Sequence, residues 1–236
     1  MNLFLTILRP LHAVTLLMVI LLTCLLATPA RADHAAQMKR GLLALEAGHQ
    51  AEAETAFKAA LGFIPGSRDA LINLGIAQLR SGNLRGAFAS LQSVRVHYPE
   101  DPAVYFHLAE VYYRAGLDQL ERDALILSIR LDPGHHTAHR HLAHALTQNG
   151  SLYAAAVEFD YLIASANANG TLPHPSVLHA RALIHERHGH TQQAIAMLDD
   201  LLFLYPEGNE ADQALSHLSR LRQQLDATAV KPTAVP

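Results

Sequence analysis

Gly48, Gly82, Gly116 and Gly150 stand 34 residues apart, and Gly189 follows 39 residues later. Prolines keep the same beat at Pro65, Pro99 and Pro133, and Pro206 lies two such periods plus the same five residues further on. Glycine permits a turn that other residues resist, and proline stops a helix. Two residue types of opposite backbone character sharing one period predict a repeated structural unit.

Other positions move in phase. Seven residues before each glycine stands a small residue: Gly41, Gly75, Ala109, Ala143 and Ala182. Five residues after it come Ala53, Ala87, Glu121, Ala155 and Ala194, and nine after it Phe57, Leu91, Leu125, Phe159 and Leu198. Small residues let two helices approach and large ones fill the space between them. The pattern predicts a helix–turn–helix unit repeated about five times, over residues 34–67, 68–101, 102–135, 136–169 and 175–208. One such pair cannot bury its apolar stripe alone, so neighbours must stack and share a core. Asp101-Pro102 fits a helix start, with a capping side chain before a proline at the first helical position, and Pro175 opens the fifth unit similarly.

These residues resemble the tetratricopeptide repeat over about residues 34–208. The resemblance implies an all-α fold, a right-handed α–α superhelical solenoid whose first helices line a concave, peptide-holding surface. Two departures stand out. Glu121 replaces a small residue, which predicts a second helix set further out or slipped in register. The fourth unit reaches Asn167 without the proline and continues into a turn-rich stretch from Ala168 to Pro175. Beyond the fifth unit, Leu215, Leu218, Leu221 and Leu225 share a stripe, which predicts a capping helix over residues 209–226. Residues 227–236 carry two prolines and no helical pattern and read as a disordered tail.

Carried over from the resemblance, positions five, nine and twelve of each unit face a partner. They are Met38, Leu42, Leu45, Ile72, Ile76 and Leu79 in the first two units, an aliphatic cluster on a nominally solvated surface. Phe106, Glu110, Tyr113, Arg140, His144 and Thr147 follow, then His179, Leu183 and Glu186. The expected partner is a protein, engaged through an amphipathic helix or an extended segment. The alternatives are that the aliphatic residues are ordinary core or are covered by a second copy of the chain. The carboxylate-clamp mode of this family needs lysines that are missing beside Asn73, so it is not expected.

Location and chemistry are read from composition. Arg9, an uncharged apolar stretch from Ala13 to Ala27, and Ala30-Arg31-Ala32 form a secretory leader pattern covering residues 1–32, with cleavage after Ala32 and a periplasmic or secreted product. The alternative is an inner-membrane anchor made by retaining the leader, and the membrane is expected as a partner only in that case. Cys24 is the only cysteine and lies in the leader, so neither a disulfide framework nor a thiolate metal site is expected afterwards. Cleavage also removes Arg9 and Arg31, leaving 16 basic against 21 acidic side chains, so nucleic acid is not an expected partner.

Ten of the 16 histidines lie between His135 and His190. The spacings of His135 with His139, His141 with His144, and His185 with His188 put each pair on one helix face and raise a histidine-based metal site as the alternative function. Two ligands do not close a site, and His179 or Glu186 are the nearest further candidates. His185-Glu186-Arg187-His188 falls one residue short of a zinc-protease motif, and no phosphate-binding glycine loop or nucleophile elbow is found. The expectation is therefore an adaptor or scaffold for an envelope assembly, with no catalytic residues and no cofactor. A pH-responsive role for the histidines is the other alternative.

Overall fold

The computed structural model describes residues 30–229, and among them there are eleven α-helices and no strand. The helices fall into two compact units divided between Leu117 and Asp118. The first contains α1 (residues 30–46), α2 (Gln50–Phe63), α3 (Arg68–Arg80), α4 (Leu84–His97) and α5 (Pro102–Arg114). The second contains α6 (Asp118–Leu131), α7 (His136–Gln148), α8 (Leu152–Ala168), α9 (Pro175–Arg187), α10 (Thr191–Leu204) and α11 (Asn209–Ala229). Odd-numbered helices up to α9 are the first helices of the repeats, called A helices below, and even-numbered ones are the second, called B. The expected starts at residues 68, 102, 136 and 175 are the first residues of α3, α5, α7 and α9.

Backbone chemistry sets these boundaries. The five phased glycines adopt φ between +69° and +82°, a left-handed conformation that a side chain disfavours. At each, the residue after the glycine donates its N–H back across the turn, as His49 N does to Ala44 O at 2.8 Å and Asn83 N does to Gln78 O at 2.8 Å. These bonds satisfy carbonyls that the helix end leaves without partners. Each B helix then begins two residues after its glycine. This holds for α6 as well, so Glu121 causes no slip in register, contrary to expectation. Glu121 is buried, and desolvation, reinforced by Asp118, raises its pKa above the ordinary carboxylate value.

Proline ends the B helices. A residue preceding proline is driven out of the helical region, and Ile64, Tyr98 and Tyr205 are extended with φ near −134°. Asn167 stands where the fourth unit's proline is due, and α8 runs on to Ala168, stopped by Gly170 at φ +66°. The five extra residues divide cleanly. Helix α8 has 17 residues where α2, α4, α6 and α10 have 14, and its loop has six residues where the other B-to-A connections have four.

Each apolar cluster joins three consecutive helices. In the first unit, Ala44 and Leu45 of α1 meet Ala53 and Phe57 of α2 and Leu74 and Ala77 of α3. Leu79 of α3, Leu91 and Val94 of α4 and Leu108 of α5 form the next. In the second unit, Ala143, Phe159 and Ile184 link α7, α8 and α9, and Ala182, Leu198 and Leu221 link α9, α10 and α11. No hairpin closes a core by itself, and burying one such Phe or Leu contributes about 1.5–3 kcal/mol. The fit of small against large is tight: a Cβ on Gly41 would sit 2.5 Å from the Phe57 ring, and one on Gly75 would sit 2.9 Å from Leu91.

The C-terminal helix exceeds its expected end, reaching Ala229, so residues 227–229 are helical rather than part of a tail. Its buried stripe also differs. Leu218 and Leu221 are buried with Ala211, Ala214 and His217, whereas Leu215 is half exposed. The 3.6-residue turn carries Leu215 off the face that meets α9 and α10. Of the expected leader over residues 1–32, residues 1–29 lie outside the described residues, as do residues 230–236 of the tail, while residues 30–32 belong to α1. Among the described residues no helix is long and apolar enough to cross a membrane.

Candidate partner-binding surface

On the A helices of the first unit, packing removes part of the expected groove. Leu45 and Ile72 are each 7% exposed and Leu79 4%, because each contributes to a three-helix cluster. Phe106 is buried too. Met38 and Ile76 are half-buried against the core, leaving Leu42 at 42% and Tyr113 at 55% as the expected contact residues that reach solvent well. The six-residue aliphatic patch is therefore corrected to a narrower one. The missing signal was depth: in a stack, a first-helix side chain faces the preceding and following hairpins as well as solvent. Arg80 and Arg114 brace this surface, donating to Leu45 O at 3.2 Å and Leu79 O at 2.7 Å, the last-turn carbonyls of the preceding A helix. Glu110 lies 2.6 Å from Nδ1 of His107 and shares this face.

The A helices of the second unit are polar where the first are aliphatic. Arg140 is half-buried, His144 is open to solvent on one side with its ring edge-on to Phe159, and the Thr147 hydroxyl is tied to Ala143 O. Burial, then the neighbouring His141 and Arg140, holds His144 below the ordinary imidazole range. His179 and Glu186 do not lie on an open groove, because α11 covers them in part. His217, buried on α11, approaches His179 Nε2 at 3.3 Å through Nδ1 and Glu186 Oε2 at 2.8 Å through Nε2. Arg220 donates to the same Glu186 oxygen at 3.1 Å. Desolvation, followed by the charge of a nearby His217, lowers the His179 pKa, and Glu210 opposes this. Sequence reasoning missed His217, which is separated from the histidine-rich stretch and meets His179 from 38 residues away.

Two of the histidines proposed as metal ligands, His135 and His139, are engaged elsewhere. His135 caps α7 by accepting from Ala138 N at 3.3 Å. His139 is buried, 2.6 Å from Glu158 and 3.1 Å from Pro133 O, with its ring stacked on Tyr161 at 4.1 Å. His185 is held below its ordinary pKa chiefly by desolvation and lies 6.0 Å, ring to ring, from His190, which is 6.1 Å from His188. Among the described residues, no three His, Cys, Asp or Glu side chains are grouped to hold a metal. The pairs expected on helix faces, His141 with His144 and His185 with His188, thus gain no third ligand.

A second concave feature lies at the five-residue insertion. His136, Thr137 and Arg140 of α7, Leu162 and Ser165 near the end of α8, and Val177 of α9 enclose a cleft of about 200 Å³ with the loop between α8 and α9. The signal for it was present in the sequence as the lengthened 39-residue glycine interval and the missing proline.

The family model for the tetratricopeptide repeat matches residues 72–135. No curated protein matches the chain. Solved structures do. A tetratricopeptide repeat protein from Parabacteroides merdae is 17% identical with a TM-score of 0.67, over 84% of this chain and 77% of that one. The pilF protein of Pseudomonas aeruginosa is 16% identical with a TM-score of 0.64, over 85% and 99%. YrrB, described as a tetratricopeptide repeat protein with an unusual peptide-binding site, is 15% identical with a TM-score of 0.59, over 76% and 90%. At these identities the likeness is one of fold, and it agrees with the all-α, tandem helix-hairpin architecture read from the repeat.

Proposed function

We propose that this chain is a periplasmic adaptor that binds a partner protein segment along the exposed faces of its A helices and helps hold an envelope complex together. The observation that carries the reading is the pair Leu42 and Tyr113, large apolar side chains left in solvent on a face whose other apolar positions are already used in packing. The half-buried Met38, Ile76 and Glu110 give that face an apolar strip with a polar end, which suits an amphipathic or extended segment. Peptide binding described for YrrB supports the mode, and the leader pattern supports the location.

The test is crosslinking in the native envelope of a Leu42→Glu, Tyr113→Glu double variant. Captured partner should fall at least tenfold while helicity is unchanged, since neither side chain is core. Unchanged capture would sink the surface assignment, and a protein found only in the cytoplasm would sink the location.

Of the two histidine readings, geometry favours pH response over metal. The His217, His179 and Glu186 contact is the joint between α11 and α9, and Glu210, Asp212 and Arg220 of α11 are the other charged groups around it. A proton added to His179 places a cation beside a second imidazole in a partly desolvated joint, which weakens the seating of α11.

A further inference from the structure

The cleft at the insertion is distinguished by charge. The groove between α9 and α11 is lined by Asp212, and the shallow pocket on α1 and α2 by Glu52, whereas no carboxylate lines this one. Arg140 lines it and forms no ion pair among the described residues, so a five-donor cation that cannot lose its charge has no counter-charge there. His174 also lines it. Its Nδ1 accepts from Ser176 N at 3.3 Å, which leaves Nε2 as the protonated nitrogen and a donor. Thr137 adds a hydroxyl, and His136 is held by Ser165 at 2.6 Å. The cleft lies beside the first turns of α7 and α9, helix ends that favour negative charge, and beside the last turn of α8, an end that opposes it, so Arg140 carries the attraction.

Size and wall chemistry narrow the ligand. A volume of about 200 Å³ is below the roughly 300–1,000 Å³ of sites that take a whole drug-sized molecule, so the cleft accepts a single group. Arg140 is its one permanent cation, which matches a carboxylate better than a phosphate group carrying about −1.5 to −2 charges. Leu162, Ala166 and Val177 supply an apolar side that accommodates methylenes and gives a hydrated dianion nothing.

We propose that this cleft receives an acidic side chain, a carboxylate on an aliphatic stem, presented by the partner protein. The carboxylate pairs with the Arg140 fork and accepts from Thr137 and His174, while its stem lies along Leu162 and Val177. The site exists because α8 overruns its usual end and the following loop is two residues longer than its counterparts. It rests on the adaptor reading only for the source of the carboxylate.

The intact protein is titrated with acetyl-glutamate amide, which carries one side-chain carboxylate, and in parallel with acetyl-glutamine amide and with inorganic phosphate, while the ring signals of His136 and His174 are followed by NMR. The glutamate compound should give saturable shifts at least tenfold tighter than the glutamine compound, and Arg140→Gln should weaken them at least tenfold. Equal responses to glutamate and glutamine compounds, a response to phosphate alone, or no response overturns the proposal. The comparison of the two compounds requires no variant, so it stands even if Arg140→Gln misfolds. Since the probe is a small molecule, failure here leaves partner capture by the Leu42 and Tyr113 face intact, and the crosslinking experiment can fail without affecting this one.

Discussion

The two units are made by the same rules and furnished differently. In each, a small residue on an A helix faces a large one on the B helix, and each cluster is completed by the next helix. In the first unit the A helices spend most of their apolar side chains in packing and keep a short apolar face. In the second they carry arginine and histidine, one junction is lengthened by five residues, and a terminal helix leans on the last hairpin through a histidine pair. The histidines that burial holds below their usual range, His144, His179 and His185, all belong to the second unit. The small and large positions of the repeat build the core in both units, and the residue types at the other A-helix positions are what differ between them.

The strongest way to break this comparison is to remove the same large residue from both cores. Phe57→Ala and Phe159→Ala each empty a site that is 0% exposed, and each should cost about 3–5 kcal/mol in denaturant unfolding. A cost for one that is several-fold smaller than for the other would show that the two cores are not equivalent. A smaller loss tests the close approach of helices. Gly41→Ala puts a Cβ into the Phe57 ring, and overpacking of that kind should cost about 1–3 kcal/mol, whereas Ala143, the matching residue of the second unit, already fits beside Phe159. A neutral Gly41→Ala would mean that the first hairpin is loosely packed.

The mildest effect is that of pH, and it should be confined to the second unit. A histidine whose folded pKa lies below its unfolded value of about 6.5 binds fewer protons when folded. Stability is then flat above that pH and falls as pH drops through it toward the folded value. The protection factors of α11 amides, taken against the intrinsic exchange rate at each pH, should fall between pH 7 and 5.5, and His179→Leu should flatten the response. Protection factors in α11 that do not change with pH would remove the pH-responsive reading.

Much of the fold was legible because glycine and proline act locally. A left-handed φ at Gly82 or an extended residue before Pro99 is a property of a few consecutive residues, so turns and stops could be placed from sequence, whereas α11, which ends without either signal, runs three residues past its expected end. The site was legible only in part. Leu45, Ile72 and Leu79 were assigned to a binding face by position in the repeat and proved to be core, while Leu42 and Tyr113 from the same assignment are exposed. Periodicity gives the direction in which a side chain leaves its helix but not what lies in that direction.

The sequence alone determined that helix hairpins recur every 34 residues and must bury their apolar faces on their neighbours, because turn, stop and small-to-large packing signals are written at fixed spacing. Tertiary structure decided that His217 meets His179, that Leu215 turns away from the core, and that the overrun of α8 opens a cleft beside Arg140. Those outcomes depend on distances between residues far apart in the chain, and such distances are set by how helices stack rather than by any local backbone preference.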